Sequence, residues 1–262
     1  MVVTAVLNPY DRALFLSVCT KRRFLSPLNW TTPFHGVGQT IVSRSLSTGL
    51  YFPLEEVGRT VAHEAGLPDG SAACSIVAGN FAGAVNALLL SPLAAVKYRS
   101  WGDLSNPENK SVAQAAVATY ERGGLRAFFT GFSATVARDM AFGAVFAWLR
   151  RELRRQFLHT DTRAGAFAAD AVAAGCAAIV SSPFNYARNR QFAKQAADHH
   201  PVPTVLQSLA YFWIQFQARP TPYARLKYAQ TRLMIGWGTL RVAGGMGLGQ
   251  LVYAALCAAP VV

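Results

Sequence analysis

Acidic residues are scarce in this chain: 13 Asp and Glu stand against 25 Lys and Arg, a formal net charge of +12 over 262 residues. Charge of either sign is also sparse, at 15% of residues against 52% hydrophobic, which leans toward a membrane protein rather than a soluble domain. The four cysteines, Cys19, Cys74, Cys176 and Cys257, are scattered, with no CxxC pair and no histidine at ligand spacing. That pattern indicates neither a disulfide framework nor a zinc site and reads as small buried thiols. Asp198-His199-His200 reads as a polar loop tip, so no metal is expected. No Ser/His/Asp set, phosphate loop or supported carboxylate pair is present, so neither enzymatic activity nor a cofactor is expected. The N-terminus has no secretory apolar core and no Arg- and Ser-rich amphipathic stretch, and any targeting signal is expected to be internal. A positive surface attracts nucleic acid, anionic lipid or anionic solutes alike. Here the cations cluster between apolar segments, as at Lys21-Arg22-Arg23 and Arg150-Arg151, which is how membrane helices carry charge in their loops, so nucleic acid is set aside.

The chain is organised around one long apolar stretch. No charged residue occurs from Ser71 to Val96, long enough to span a bilayer. Gly79 and Gly83 form a small-xxx-small step for close helix approach, Pro92 then kinks the helix, and Lys97 and Arg99 follow. This order resembles the odd-numbered helices of the mitochondrial carrier family, whose signature is Px[DE]xx[KR]. Two further copies are visible. Pro9 and Asp11 fit the signature's start, but Leu14 holds its cation slot, and eight residues before Pro9 make the first helix short. Pro183-Phe184-Asn185-Tyr186-Ala187-Arg188-Asn189-Arg190 resembles the family's PFDxxRxR with Asn185 in place of the acid. The prolines mark a repeat of about ninety residues, each long enough for a helix pair and a connector. Glu121-Arg122-Gly123-Gly124 running to Gly131 resembles the family's EGxxxxYxG stretch, and Phe34-His35-Gly36 its aromatic-x-Gly helix start; the third copy carries Arg232-Leu233-Met234 there and is expected to lose it. Apolar residues Val205, Leu209, Phe212 and Phe216 recur at helical spacing and predict an amphipathic helix in the third connector.

The resemblance implies an all-α membrane protein of six transmembrane helices in three pseudo-repeats of two helices plus a matrix connector helix. The repeats fall at residues 1–66, 67–162 and 163–262, the last span running from about Met234 to Leu256. It also implies a multi-pass protein of the mitochondrial inner membrane with termini in the intermembrane space. In the family each signature carboxylate pairs with the next copy's cation to close the matrix side. Carried over, Asp11 pairs with Lys97, while Ala94 offers Arg188 nothing and Asn185 faces Leu14. The outer gate would be Glu56 with Arg59 and Glu152 with Arg155; the third copy has Ala254 and Cys257. Solute-contact positions fall on Ser43 with Arg44, on Arg138 with Asp139, and on Arg241. An Arg–acid pair at the second position resembles carriers of amino acids, and the alternative is a pair that satisfies itself without a role, or an Arg241 bound to a helix carbonyl. Helix starts at Phe34–Gly36 and Phe129–Gly131 could hold cardiolipin phosphate, since helix N-termini favour anions.

Two function classes follow. The missing bridges and short first helix favour a non-transporting structural subunit of a larger inner-membrane assembly, a respiratory-chain or ATP synthase complex, with Tyr211, Phe212, Trp213 and Phe216 as its interface. The alternative is a working exchanger of an amino acid or small carboxylate.

Overall fold

The computed structural model describes residues 2–102, 112–157, 163–196, 201–242 and 244–245. Asp198, His199, His200, Ala254, Cys257 and the part of the last apolar segment beyond 245 lie outside the described residues. Among the described residues there is helix and turn and no strand. In order come α1 (Val2–Cys19), a 3₁₀ turn at Pro27–Asn29, α2 (Val37–Glu64), α3 (Ala72–Gly102), α4 (Val112–Ala127), α5 (Phe132–Phe157), α6 (Arg163–Ala196), α7 (Val205–Gln217), α8 (Pro222–Arg232) and a helical stretch at 237–242.

Two local features recur along this order. Pro9, Pro92 and Pro183 sit inside α1, α3 and α6, where each removes a backbone donor and pushes the preceding turn away. Gly36, Gly131 and Gly236 each adopt a left-handed conformation, φ 70°, 77° and 102°, immediately before α2, α5 and the 237–242 stretch. An L side chain resists that conformation, so glycine sets the angle at which each helix starts. Gly236 corrects the expectation that the third copy loses its glycine start. What that copy loses is the aromatic two residues earlier: Met234 takes the place and is buried against Val18 and Tyr186, whereas Phe34 and Phe129 are exposed.

The long helices pack in sequence, α2 on α3, α3 on α5 and α5 on α6. The 237–242 stretch touches α6 through Thr239 against Gly175, and Val242 packs on the cluster of Phe146, Ala173, Ala174 and Ala177 from α5 and α6. It touches α1 through Tyr10, whose hydroxyl donates to the Trp237 carbonyl at 2.9 Å, and α1 in turn meets α2, so the ring closes. At 18 residues α1 is much shorter than α3 (31) and α6 (34), as the sequence leads one to expect. Its rise is roughly 27 Å.

Closest approach is at the α3–α5 crossing. A Cβ on Gly79 would overlap the carbonyl of Gly143, and one on Gly83 the carbonyl of Asp139, so the small-xxx-small step works as the sequence implies. Val42, Leu46, Leu88, Leu89, Val172, Ile179 and Val180 stay exposed on the outer helix faces. Among the described helices Ala72–Trp101 is long and apolar enough to cross a bilayer by length and composition, with a mean hydropathy of 1.7. The others are diluted by inward-facing charge such as Arg138, Asp139 and Asp170.

Gly83→Ala and Gly143→Ala should each force α3 and α5 apart and cost about 1–3 kcal/mol. Thermal unfolding in mild detergent should show both clearly lowered, while Gly49→Ala, where a Cβ would meet nothing, stays unchanged. Equal melting of all three would mean that the crossing is not close-packed.

Candidate functional site

Beyond their prolines, α1, α3 and α6 converge. Phe15 and Leu16 of α1, Ala95, Tyr98 and Trp101 of α3, and Phe192 of α6 form one buried cluster. Tyr98 is its hub: it stacks on Phe192 with ring centroids 4.5 Å apart and meets Phe15 at 4.8 Å and Trp101 edge-on at 5.5 Å. The Lys97 ammonium lies 4.7 Å from the centroids of both Tyr98 and Trp101, and the Arg188 guanidinium 5.1 Å from that of Tyr98. Arg188 also donates to the Tyr98 hydroxyl at 2.9 Å and to Asn185 Oδ1 at 2.7 Å. Both cations are 7% exposed. Aromatic faces attract a cation through their quadrupole, which offsets part of its desolvation.

This arrangement corrects the Asp11–Lys97 pairing. Asp11 instead faces the last described helix: Arg241 Nε and Nη2 donate to its two oxygens at 2.5 Å each, and Arg44 of α2 lies 3.6 Å away. The reason is geometric. Arg241 offers a planar fork matched to a carboxylate, while Lys97 points into the aromatic cluster. Among the described residues Lys97 has no carboxylate within ion-pair distance. Arg241 therefore binds a side chain, not a helix carbonyl.

The remaining solute-contact candidates lie close by. Arg138 donates to its neighbour Asp139, through Nε at 2.6 Å, and both side chains are part-buried. Arg44 is near enough to interact electrostatically with Lys97, Arg138, Arg188 and Arg241, Arg188 also with Lys97 and Arg138, Asp11 acts on Arg44 and Lys97, and Asp139 acts on Arg188. Five cations thus share one region with two carboxylates, an excess of three positive charges. Ser43 is half-exposed, and the side chain that α2 brings to the cluster is its neighbour's. The Arg44 side chain remains 43% accessible and that of Arg138 29%, whereas Tyr98, Trp101 and Lys97 are sealed, so the charged region is wetted from the side away from the aromatic cluster.

At that other end the expected gate is shifted. Glu55, not Glu56, is the buried acid: it accepts from Arg59 at 2.8 Å and from Arg150 of α5 at 2.9 and 3.2 Å, while Glu56 is exposed. The register of the motif points to Glu56, but a one-residue step on a helix turns the side chain by about 100°, and Glu55 is on the side facing α5. Glu152 and Arg155 bond each other along α5 and, among the described residues, link no second helix. The α5–α6 link is Arg154 to Asp170, bidentate at 3.0 and 2.6 Å. Sequence reasoning missed these two cross-helix pairs and the aromatic cluster. A signal for the cluster existed: Phe15 and Tyr98 follow the signature's cation slot by one residue, and Trp101 and Phe192 follow it by four. For the pairs there was none, because Arg150 and Arg154 read as part of a basic run.

At the glycine helix starts, the Cβ position of Gly36 is filled by Trp101, whose indole N–H donates to the His35 carbonyl at 3.1 Å, and that of Gly131 by the Phe192 ring. These starts are pinned to the same aromatic cluster.

If Asp11 and Arg241 are true partners, their double-mutant coupling should exceed that of Asp11 with Lys97. Asp11→Ala or Arg241→Ala alone should cost roughly 3–5 kcal/mol and the pair together much less than the sum. A larger coupling of Asp11 to Lys97, read from thermal unfolding of the four variants, would reverse the assignment.

Comparison with known proteins bears on this geometry. Residues 69–161 match the family model described as mitochondrial carrier protein. The chain is 31% identical over 163 residues to the mitochondrial glutathione transporter SLC25A40 of Xenopus tropicalis, covering 60% of this chain and 46% of that protein. It is 29% identical over 101 residues to a mitochondrial glycine transporter of Botryotinia fuckeliana, 38% of this chain and 30% of that one. It is likewise 29% identical over 80 residues to one of Yarrowia lipolytica, 30% and 26% respectively. The chain matches less than half the length of each of these relatives.

Proposed function

We propose that the chain, which matches the mitochondrial carrier family model over residues 69–161 and resembles a mitochondrial glutathione transporter over 60% of its length, is a member of that family and a solute transporter of the mitochondrial inner membrane for a small anion bearing an amino-acid head. In this reading it has six spans in three repeats at 1–66, 67–162 and 163–262, with connectors in the matrix and termini in the intermembrane space. The recurrence of an in-helix proline and a left-handed glycine start in α1/α2, α3/α5 and α6/237–242 supports the repeat. The family match over 69–161 is about one such unit long. Lipid phosphate at the Phe34–Gly36 and Phe129–Gly131 starts belongs to the same proposal.

The observation that carries it is the positive excess around Arg138–Asp139. An arginine beside an aspartate presents a donor fork for a carboxylate and an acceptor for an ammonium, the two ends of an amino-acid head. The further cations Arg44, Lys97 and Arg188 favour an additional negative charge on the solute. Glutathione and glycine, named for the relatives, both carry an amino group and a carboxylate, and the excess charge favours the anionic glutathione over neutral glycine. Phe212, expected with Phe216 in the outward interface of a structural subunit, packs instead on Tyr186, Phe216 and Tyr228 and holds α7 to α6 and α8. The reading that the sequence favours, a non-transporting structural subunit, rested on the missing ionic bridges and the short first helix. The aromatic cluster occupies the place of those bridges, and the relatives are transporters, so nothing found here favours it.

An exchanger needs two closed states within a few kcal/mol, and solute can shift them only by its differential affinity. The full chain in liposomes preloaded with glutathione should show saturable exchange of external glutathione and weaker exchange of glycine. Arg138→Ala should lower its efficiency roughly 10- to 100-fold, the worth of a charge-assisted hydrogen bond. Absence of exchange with either solute and with small dicarboxylates would remove the transporter reading.

A further inference from the structure

Arg44 of α2 and Arg241 of the last described helix reach toward one carboxylate, and that carboxylate is the chain's own. Arg241 Nε and Nη2 donate to the two oxygens of Asp11 at 2.5 Å each, and Arg44 Nη2 stands 3.6 Å from Oδ2. The packing of α1 on the last described helix sets this up. Tyr10 donates to the Trp237 carbonyl at 2.9 Å, and Arg241 follows Trp237 by four residues on the same helix face. Gly245 lies four residues further, where a Cβ would come within 3.4 Å of both Arg241 Nη1 and Leu7 Cδ1. Its missing side chain leaves the guanidinium room beside α1.

This seat is sealed on one side only. The Asp11 and Arg241 side chains are 11% and 12% accessible, whereas that of Arg44 is 43% accessible and faces the wetted region. The 3.6 Å separation of Arg44 from Asp11 is an ion-pair distance, too long for a hydrogen bond. A further cation stands near the same acid. Lys97 acts on Asp11 electrostatically and, among the described residues, has no carboxylate within ion-pair distance.

We propose that Asp11 is a tethered stand-in for a solute carboxylate: it holds the Arg241–Arg44 seat in the empty bundle, and the carboxylate remote from the solute's amino-acid head displaces it there. A guanidinium fork binds any carboxylate through the same two donors, so an exchange of one for another keeps both hydrogen bonds and the charge balance. A vacated fork would be a largely buried, unpaired cation, which is strongly unfavourable. The displaced Asp11 turns to Lys97, so the exchange leaves neither acid unpaired. An uncharged group on the solute cannot take the seat, because it brings no anion to the fork. Asp11 therefore acts as a specificity determinant for solutes with a second carboxylate. This rests on the transporter reading, since it takes the same charged region as the solute site.

Glutathione is the probe, because its γ-glutamyl end carries the amino-acid head and its glycyl end the second carboxylate. Binding to the full chain in mild detergent is read as the concentration that gives half-maximal thermal stabilisation, beside exchange in liposomes. Asp11→Asn should bind glutathione at least about tenfold more tightly than the native chain, because a competitor that occupies the seat lowers apparent affinity by the fraction of vacant seats. Glutathione esterified at its glycyl carboxylate should gain less than about twofold from the same substitution. Ser43→Lys, which adds an equal positive charge beside Arg44, should likewise gain less than about twofold for glutathione. Asp11→Ala should melt below the native chain and be restored by formate and not by formamide, a readout in which lost stability is itself the signal. Unchanged glutathione affinity in Asp11→Asn, or an equal gain with the ester or with Ser43→Lys, overturns the proposal and leaves transport standing where the native chain exchanges glutathione. Failure of formate to restore Asp11→Ala also overturns it. Neither stabilisation nor exchange of the native chain with glutathione removes the transporter reading for this solute and the proposal with it.

Discussion

Asp11 brings one carboxylate into a region that holds five cations, and the arrangement of the bundle around it follows from that imbalance. Two unit charges 4 Å apart repel by about 4 kcal/mol at an effective dielectric constant of 20, so the cations must be separated, paired or placed on polarisable surfaces. Arg241 takes the carboxylate through its fork, with Arg44 at 3.6 Å, and thereby ties α1 to the last described helix and to α2. Arg138 takes Asp139. Lys97 and Arg188 settle on the Tyr98 ring.

Backbone geometry decides where these charges stand. The carbonyl that lies against Gly83 belongs to Asp139, so the closest point of the α3–α5 crossing also fixes the height of the Arg138–Asp139 pair. The prolines do the same for the other end: beyond Pro9, Pro92 and Pro183 the three helices meet at Phe15, Tyr98, Trp101 and Phe192. Packing and charge placement are one constraint here, because a helix that approaches closely enough to seal the cluster also carries its cation onto the rings.

Holding helices together by rings differs in kind from holding them by ion pairs. A cation–π contact contributes about 0.5–2 kcal/mol and needs no buried carboxylate. Several such contacts around Tyr98 hold α1, α3 and α6 together with an energy of modest size. Inferring lost gating from absent acids at Ala94 and Asn185 considered charge alone. The Glu55–Arg150 and Arg154–Asp170 pairs at the opposite end tie α2, α5 and α6 by ordinary ionic contacts, so the two ends of the bundle are held by different physics.

What the sequence by itself determined is local and periodic: the helices, the prolines inside α1, α3 and α6, the glycine start at Gly36, the Gly79–Gly83 approach and the charges near the centre. These depend on backbone preference and on spacing along one helix, which a linear chain displays. Partner choice was legible only in part. Arg138 with Asp139 is adjacent in sequence and was found, whereas Asp11 was assigned to Lys97 because a repeat rule counts residues and cannot see that a lysine beside Tyr98 and Trp101 has a nearer surface to rest on. Glu55 in place of Glu56 turns on 100° of helix rotation, which is decided when α2 packs on its neighbours. The two apolar faces of α7 look like one helical pattern in sequence; burial against Tyr186 and Tyr228 distinguishes them, and burial is a property of the assembled bundle.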